Sequence, residues 1–217
     1  MNTCHHCGGI CINRGRRAGA QVLYCKTCGR YHQATYRYKA WATGMDERIT
    51  TCVKEGCGIR SIGRMLGISP TTVIARIRRI ASGLGPGSIP KGRKYEVDEL
   101  ATYIRNKKNR VWVAYALDKK DRRVVALRVG ARSKRMLRPL VDTLLLANAK
   151  HIGTDGLDLY RYLVPTELHH VKGFGINRIE RHNLTLRTQL KRLARRTICY
   201  TKSLDLLYAC VAIHCWG

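Results

Sequence analysis

Two cysteine pairs of identical spacing open the chain: Cys4-His5-His6-Cys7 and Cys25-Lys26-Thr27-Cys28, with seventeen residues between them. A segment this short cannot bury enough apolar surface to fold alone. Two knuckles, each offering a pair of thiolates across a tight turn, close a tetrahedron around Zn²⁺, and the metal supplies the missing folding energy. Gly8 and Gly29 follow the knuckles, where the backbone turns sharply. The spacing therefore predicts a zinc ribbon over residues 1–40 with Cys4, Cys7, Cys25 and Cys28 as structural Zn²⁺ ligands. His5, His6, Cys11 and His32 stand close enough in sequence to substitute for one of them. Cys52, Cys57, Cys199, Cys210 and Cys215 lack paired spacing and read as reduced, buried side chains. Cysteines used this way, with no charged-then-apolar segment at the start, fit a reducing cytoplasm.

The next constraint is charge. The 217 residues carry 41 Lys and Arg against 14 Asp and Glu, a net charge of +27. A field of that size gathers a polyanion, so double-stranded DNA is the expected partner. A basic protein of the membrane surface would need an amphipathic basic helix or a long apolar span. Neither stands out, and apolar runs such as Val111 to Leu117 are far too short to cross a bilayer. No membrane partner is expected.

After a polar stretch bearing Tyr31, Tyr36 and Tyr38, the pattern is helical from Met45 to about Ala81. Three short helices fit: Asp46 to Glu55, Ile59 to Leu66, and a third that follows the turn Gly67-Ile68-Ser69. Ser69 is placed to cap the third helix, and Pro70 suits its first position. Val73, Ile77 and Ile80 form a buried stripe, leaving Thr71, Thr72, Arg76, Arg78 and Arg79 outside it. That is the layout of a helix-turn-helix recognition helix, whose N-terminal hydroxyls and arginines reach phosphates and base edges in a major groove.

Ser82 to Gly92, SGLGPGSIPKG, holds four glycines and two prolines, which sustain neither helix nor strand and mark a linker. The expected domains are a zinc ribbon at 1–40, a helix-turn-helix at 41–82, a linker at 83–92 and a final domain at 93–217. In that last domain Tyr95 to Tyr103, Val111 to Leu117 and Val124 to Val129 read as an antiparallel meander. A helix follows from about Lys134 to Ala147, then a strand from His151 to Asp155, a helical segment ending near Pro165, and a long helix from Arg178 to Arg196. The whole is an α+β multidomain chain, and this element order is that of a ribonuclease-H-like α/β fold.

Carboxylates are scarce in so basic a chain, and three fall where that fold brings acids together: Asp98 in the first strand, Asp155 after the fourth, Glu180 in the late helix. Two Mg²⁺ ions about 4 Å apart activate an attacking oxygen and stabilise a leaving one in phosphodiester chemistry, and hard cations require oxygen ligands. Mn²⁺ is the natural substitute. Glu99 competes with Asp98 for the first position. Asp118 and Asp121 read as turn residues, and Asp142, Asp158 and Glu167 as surface or capping ones.

From about Tyr95 onward the sequence resembles the transposases of the insertion-sequence-one class. Glu96-Val97-Asp98-Glu99 is similar to the family's first-aspartate strand, Thr154-Asp155-Gly156 to its second-aspartate motif, and Arg178-Ile179-Glu180-Arg181-His182-Asn183-Leu184 to its glutamate helix. The twenty-four residues between Asp155 and Glu180 match the family's separation. The resemblance implies a DDE triad of Asp98, Asp155 and Glu180, and a front end that binds the element's terminal inverted repeats. Metal-activated water would cut the element's end, and the freed 3′-hydroxyl would attack target DNA. Asn183 and Arg187 lie on the face of Glu180, placed to hold phosphate or strand, and His182 is placed to orient water or a leaving group. Joining two ends calls for a homodimer or higher oligomer. Two features depart from the family: both halves share one uninterrupted frame, whereas the family typically joins them by ribosomal frameshifting, and Leu206 to Gly217 matches poorly. The competing readings are a DNA-binding regulator with an inactive nuclease-like domain and a host nuclease or resolvase of the same fold.

Overall fold

A computed structural model of the chain describes residues 2–34, 39–171, 177–194, 197 and 199–217. Tyr36 and Tyr38, and the expected helix end at Arg195 and Arg196, lie outside the described residues. The chain forms two compact units, residues 1–45 with 66–68 and residues 46–65 with 69–217.

The first unit is built on a three-stranded antiparallel sheet, β1 (Cys11–Arg17), β2 (Ala20–Cys25) and β3 (Tyr31–Gln33), in the order β1-β2-β3. Its buried centre is small and mostly sulfur: Cys4, Cys11, Leu23 and Cys25. Each knuckle closes on backbone hydrogen bonds, Gly8 N to Cys4 O at 3.0 Å and Gly29 N to Cys25 O at 2.9 Å. Both glycines adopt positive φ, 73° and 68°, which is why glycine stands there.

The helices α1 (Met45–Lys54), α2 (Ile59–Leu66) and α3 (Pro70–Ser82), which belong to the second unit but for the end residues Met45 and Leu66, follow the expected pattern. Ser69 caps α3 by accepting from Thr72 N, and Val73 and Ile77 are fully buried. A five-stranded sheet follows, of β4 (Lys94–Tyr103), β5 (Arg110–Asp118), β6 (Val124–Gly130), β7 (His151–Thr154) and β8 (His169–Val171). Its order is β6-β5-β4-β7-β8, with β4, β5 and β6 an antiparallel meander and β4-β7 and β7-β8 parallel. Alternation along β4 sends Tyr95 and Val97 to one face, where they join Leu137, Leu140, Val141 and Leu144 of α4 (Lys134–Leu146) and Tyr160 of α5 (Asp158–Arg161). On the other side α6 (Asn177–Gln189) meets β4, and α7 (Leu204–Trp216) meets β6 and α3.

Three elements differ from the sequence expectation. The strand β8 is three residues of mixed polarity made by pairing with β7. The helix α6 ends at Gln189, and a 3-10 turn, Lys191–Leu193, follows. The carbonyl of Gln189 lies against Gly56, where an added Cβ would stand 2.0 Å from it, so the chain turns away where the two backbones touch. The C-terminal segment from Leu206 is part of the helix α7, with Leu207, Cys210, Val211, Ala212 and Ile213 buried without trace of exposure. No helix among the described residues is long and apolar enough to cross a membrane.

Candidate functional site

The parallel pairing of β4 with β7 sets the position of the two aspartates. Glu96 pairs with Gly153, and the same register carried two residues further puts Asp98 beside Asp155, where β7 ends and the Asp155-Gly156-Leu157 turn begins. Leu157 N bonds the side chain of Asp155 at 3.3 Å. Carboxylate oxygens of Asp98, Glu99 and Asp155 lie within 4.8 Å of one another, close enough to hold a metal ion together. Oxygen-only donors suit a hard divalent cation.

Neighbouring residues divide the labour within this cluster. Asp98 faces α6: Asn183 Nδ2 donates to Asp98 Oδ2 at 2.6 Å, and Tyr115 Oη donates to Asn183 Oδ1 at 2.7 Å. The other Asp98 oxygen accepts from Glu99 N at 2.7 Å. Glu99 faces the opposite side of the sheet, accepting from Tyr160 Oη at 2.6 Å and from Arg132 at 3.0 Å. Arg132 also stands 3.6 Å from Asp155 and lies over the Trp112 ring, 4.3 Å from its centre. A buried carboxylate held this firmly by two donors is a fixed part of the wall. Burial pushes Asp98 from 3.8 up to about 6, with the charges of Asp155 and Glu99 adding and the donors from Glu99 N and Asn183 opposing. Burial likewise raises Glu99.

Glu180 is exposed in the first turn of α6. It is outside the carboxylate cluster and one turn before Asn183, the residue that ties its helix to Asp98. Arg187 donates to Leu193 O at 3.1 Å and lines a cavity of about 540 Å³ with Lys107 and Arg110. His182 is half-buried against Tyr115, ring centres 5.1 Å apart, and burial lowers it to about 4, so it is neutral near pH 7. The signal that Arg132 and Tyr160 belong to this site is absent from their local sequence: the sheet and α5 bring them there.

The arginines of α3 have internal partners. Arg76 bonds Asp46 Oδ1 at 2.9 Å, Arg79 bonds the other oxygen of Asp46, and Arg78 bonds Asp205 of α7 at 2.6 Å. Thr71 is exposed, and the Thr72 hydroxyl sits 2.8 Å from Ser69 Oγ.

In the first unit Cys4, Cys7, Cys25 and Cys28 gather their sulfurs within 4.8 Å of one another. The separations are 3.7 Å for Cys4–Cys28 and 3.5 Å for Cys7–Cys25, against about 3.8 Å along the edge of a tetrahedron with Zn–S bonds of about 2.3 Å. This set fits a zinc-class ion.

Residues 94–214 match the family described as IS1 transposase. The chain is 36% identical over 111 residues to the insertion element iso-IS1n protein InsB of Shigella dysenteriae, covering 51% of this chain and 85% of that protein. It is 37% identical over 111 residues to the insertion element IS1 protein InsB of Shigella flexneri, with the same coverage of 51% and 85%. A cryo-EM structure of a simian T-cell lymphotropic virus intasome in complex with PP2A regulatory subunit B56 gamma aligns over 76% of this chain and 65% of that one. Its identity is 16% and its TM-score 0.35, too low to define a shared fold. With the matched span covering more than half of its length and two such relatives at over a third identity, the chain belongs to the IS1 transposase family.

Proposed function

We propose that this chain is a DDE transposase that binds the terminal inverted repeats of its element, cleaves the element's ends and joins the 3′-hydroxyl to target DNA. One observation carries the reading: Asp98 and Asp155 meet across adjacent parallel strands, and Asn183 binds the helix of Glu180 to the same Asp98. A sheet in the order 3-2-1-4-5, counting from β4, supports a ribonuclease-H-like catalytic domain over 93–217.

Asp98 and Asp155 would hold two Mg²⁺ or Mn²⁺ ions, with Glu180 closing the set once DNA lies against α6. Bound there, the ions would lower the pKa of an attacking water or hydroxyl and neutralise charge on the scissile phosphate. Asn183 keeps the Asp98 carboxylate aimed, and its hydrogen bond favours the ionised form that a cation needs. Arg132 keeps Glu99 and Asp155 in place. Arg187, with Lys107 and Arg110, offers a basic wall to the DNA backbone. Neutral His182 is available to orient water or a leaving group through a ring nitrogen.

A zinc ribbon at 1–40 and a helix-turn-helix at 41–82 would supply the DNA-binding front end, with residues 83–92 as linker. Thr71, Thr72 and the half-exposed Arg78 and Arg79 would face the groove, and Arg76, held by Asp46, would brace the helix. Two ends to be joined imply a homodimer or higher oligomer.

The test is strand transfer. Full-length protein with Mg²⁺, terminal-repeat DNA and a target duplex should yield joined product, and Glu180→Gln should lose it while still binding the repeat. Cutting without joining would point to a nuclease or resolvase; binding with neither would point to a regulator.

A further inference from the structure

The first unit holds more sulfur and nitrogen than one tetrahedral ion uses. Cys11 opens β1 and His32 is the middle residue of β3; they are 7% and 4% exposed. Cys11 pairs with Cys25 across β1–β2, and His32 with Leu23 across β2–β3. Residues two apart on a strand share a face, so Cys11, His32 and Cys25 converge on the side where the knuckles sit. Cys11 Sγ stands 3.2 Å from His32 Nε2, and a ring nitrogen of His32, Cys11 Sγ and Cys4 Sγ lie within 4.8 Å of one another.

As a plain packing arrangement this is expensive. The imidazole is buried with one nitrogen facing a thiol, a weak hydrogen-bonding partner, and its Nδ1 has no partner at all. Buried polar atoms are ordinarily satisfied. In a unit whose core is this small, the cost of leaving them unsatisfied has little to offset it.

We propose that Cys4, Cys11 and His32 form a second site for a divalent cation of the zinc class, sharing the Cys4 thiolate with the four-cysteine site. The inference rests on reading that four-cysteine set as a zinc site. The ligand types suit a borderline-soft ion, since thiolate and imidazole are the donors such ions select. The fourth position is left to water or to a small movement of His5, whose ring lies 5.1 Å from that of His32. Binding converts the Cys11 S–H to an S–metal bond and releases its proton to solvent. A sulfur that bridges two ions would also tie β1 and β3 to the first knuckle, making three segments depend on one pair of metals.

The test is metal stoichiometry of the full-length protein. Purified with excess Zn²⁺ and desalted, wild type should carry about two zinc ions per chain by mass spectrometry, and Cys11→Ser and His32→Gln about one each. Titration of the metal-free chain with Co²⁺ should raise sulfur-to-cobalt absorbance through two equivalents in wild type and stop after one in His32→Gln. One zinc in wild type, or two in both variants, would overturn the second site and leave the four-cysteine site standing. No zinc in wild type would remove both.

Discussion

Asn183 and Asp98 are 85 residues apart in sequence and 2.6 Å apart in space. Their hydrogen bond, backed by Tyr115, ties α6 to β4 where two aspartates meet. Asn183→Ala would leave Asp98 with one donor and free to rotate. Residues that orient metal-binding carboxylates typically matter by 10–100-fold, and a loss of about that size in cleavage rate is expected at pH 7. Losing that hydrogen bond also raises Asp98 further, so part of the loss should return at higher pH; a purely structural defect would not recover.

Asp98 also sets a pH dependence. Its carboxyl is raised from 3.8 to about 6 by burial, and cation binding needs it ionised. Cleavage should therefore rise through one proton loss near pH 6 at limiting Mg²⁺. The sign reverses for the metal-free fold: charging this buried acid costs stability, so its contribution declines as pH climbs from about 4 through 6. Mg²⁺ should raise the melting temperature at pH 7.5 and do so far less at pH 5, measurable by thermal shift across that range.

The C-terminal helix is core. Leu207 is fully buried in α7, which meets both β6 and α3. Leu207→Ala should cost about 2–5 kcal/mol, read as a lower urea midpoint with unchanged slope. A change confined to a dispensable tail would leave the midpoint where it was.

On α3, Arg79 is half-exposed and shares Asp46 with the more buried Arg76. Arg79→Ala should weaken repeat binding and flatten its salt dependence by about one phosphate contact. Asp205→Asn, which frees the exposed Arg78, should cost less than about 1 kcal/mol of stability and tighten DNA binding at low salt. Unchanged binding in both variants would move the DNA contact away from this face.

Local chemistry was legible in the sequence and long-range chemistry was not. Ser69 and Pro70 announce the start of α3 because a cap is decided within three residues. The cysteine knuckles and their glycines are equally local. The helix α7 escaped because it is apolar on every side, leaving no 3.6-residue period to read. The strand β8 exists through its pairing with β7, and the end of α6 is set by the contact between Gln189 and Gly56. At the candidate site, Asp98 and Asp155 stood out because acids are rare in this chain. Glu99 competed with Asp98 on sequence alone, and only the pleat of β4, with Tyr160 and Arg132 on its far side, separates their surroundings.

The most direct test of the two-aspartate metal site is the rate at which Asp155→Asn cuts terminal-repeat DNA in Mg²⁺, with repeat binding measured on the same preparation. Removing a ligand to catalytic ions forfeits several kcal/mol of transition-state stabilisation. The expected result is a loss of about 10³-fold or more in cutting with binding retained. Cutting at the wild-type rate would contradict the site assigned to Asp98 and Asp155.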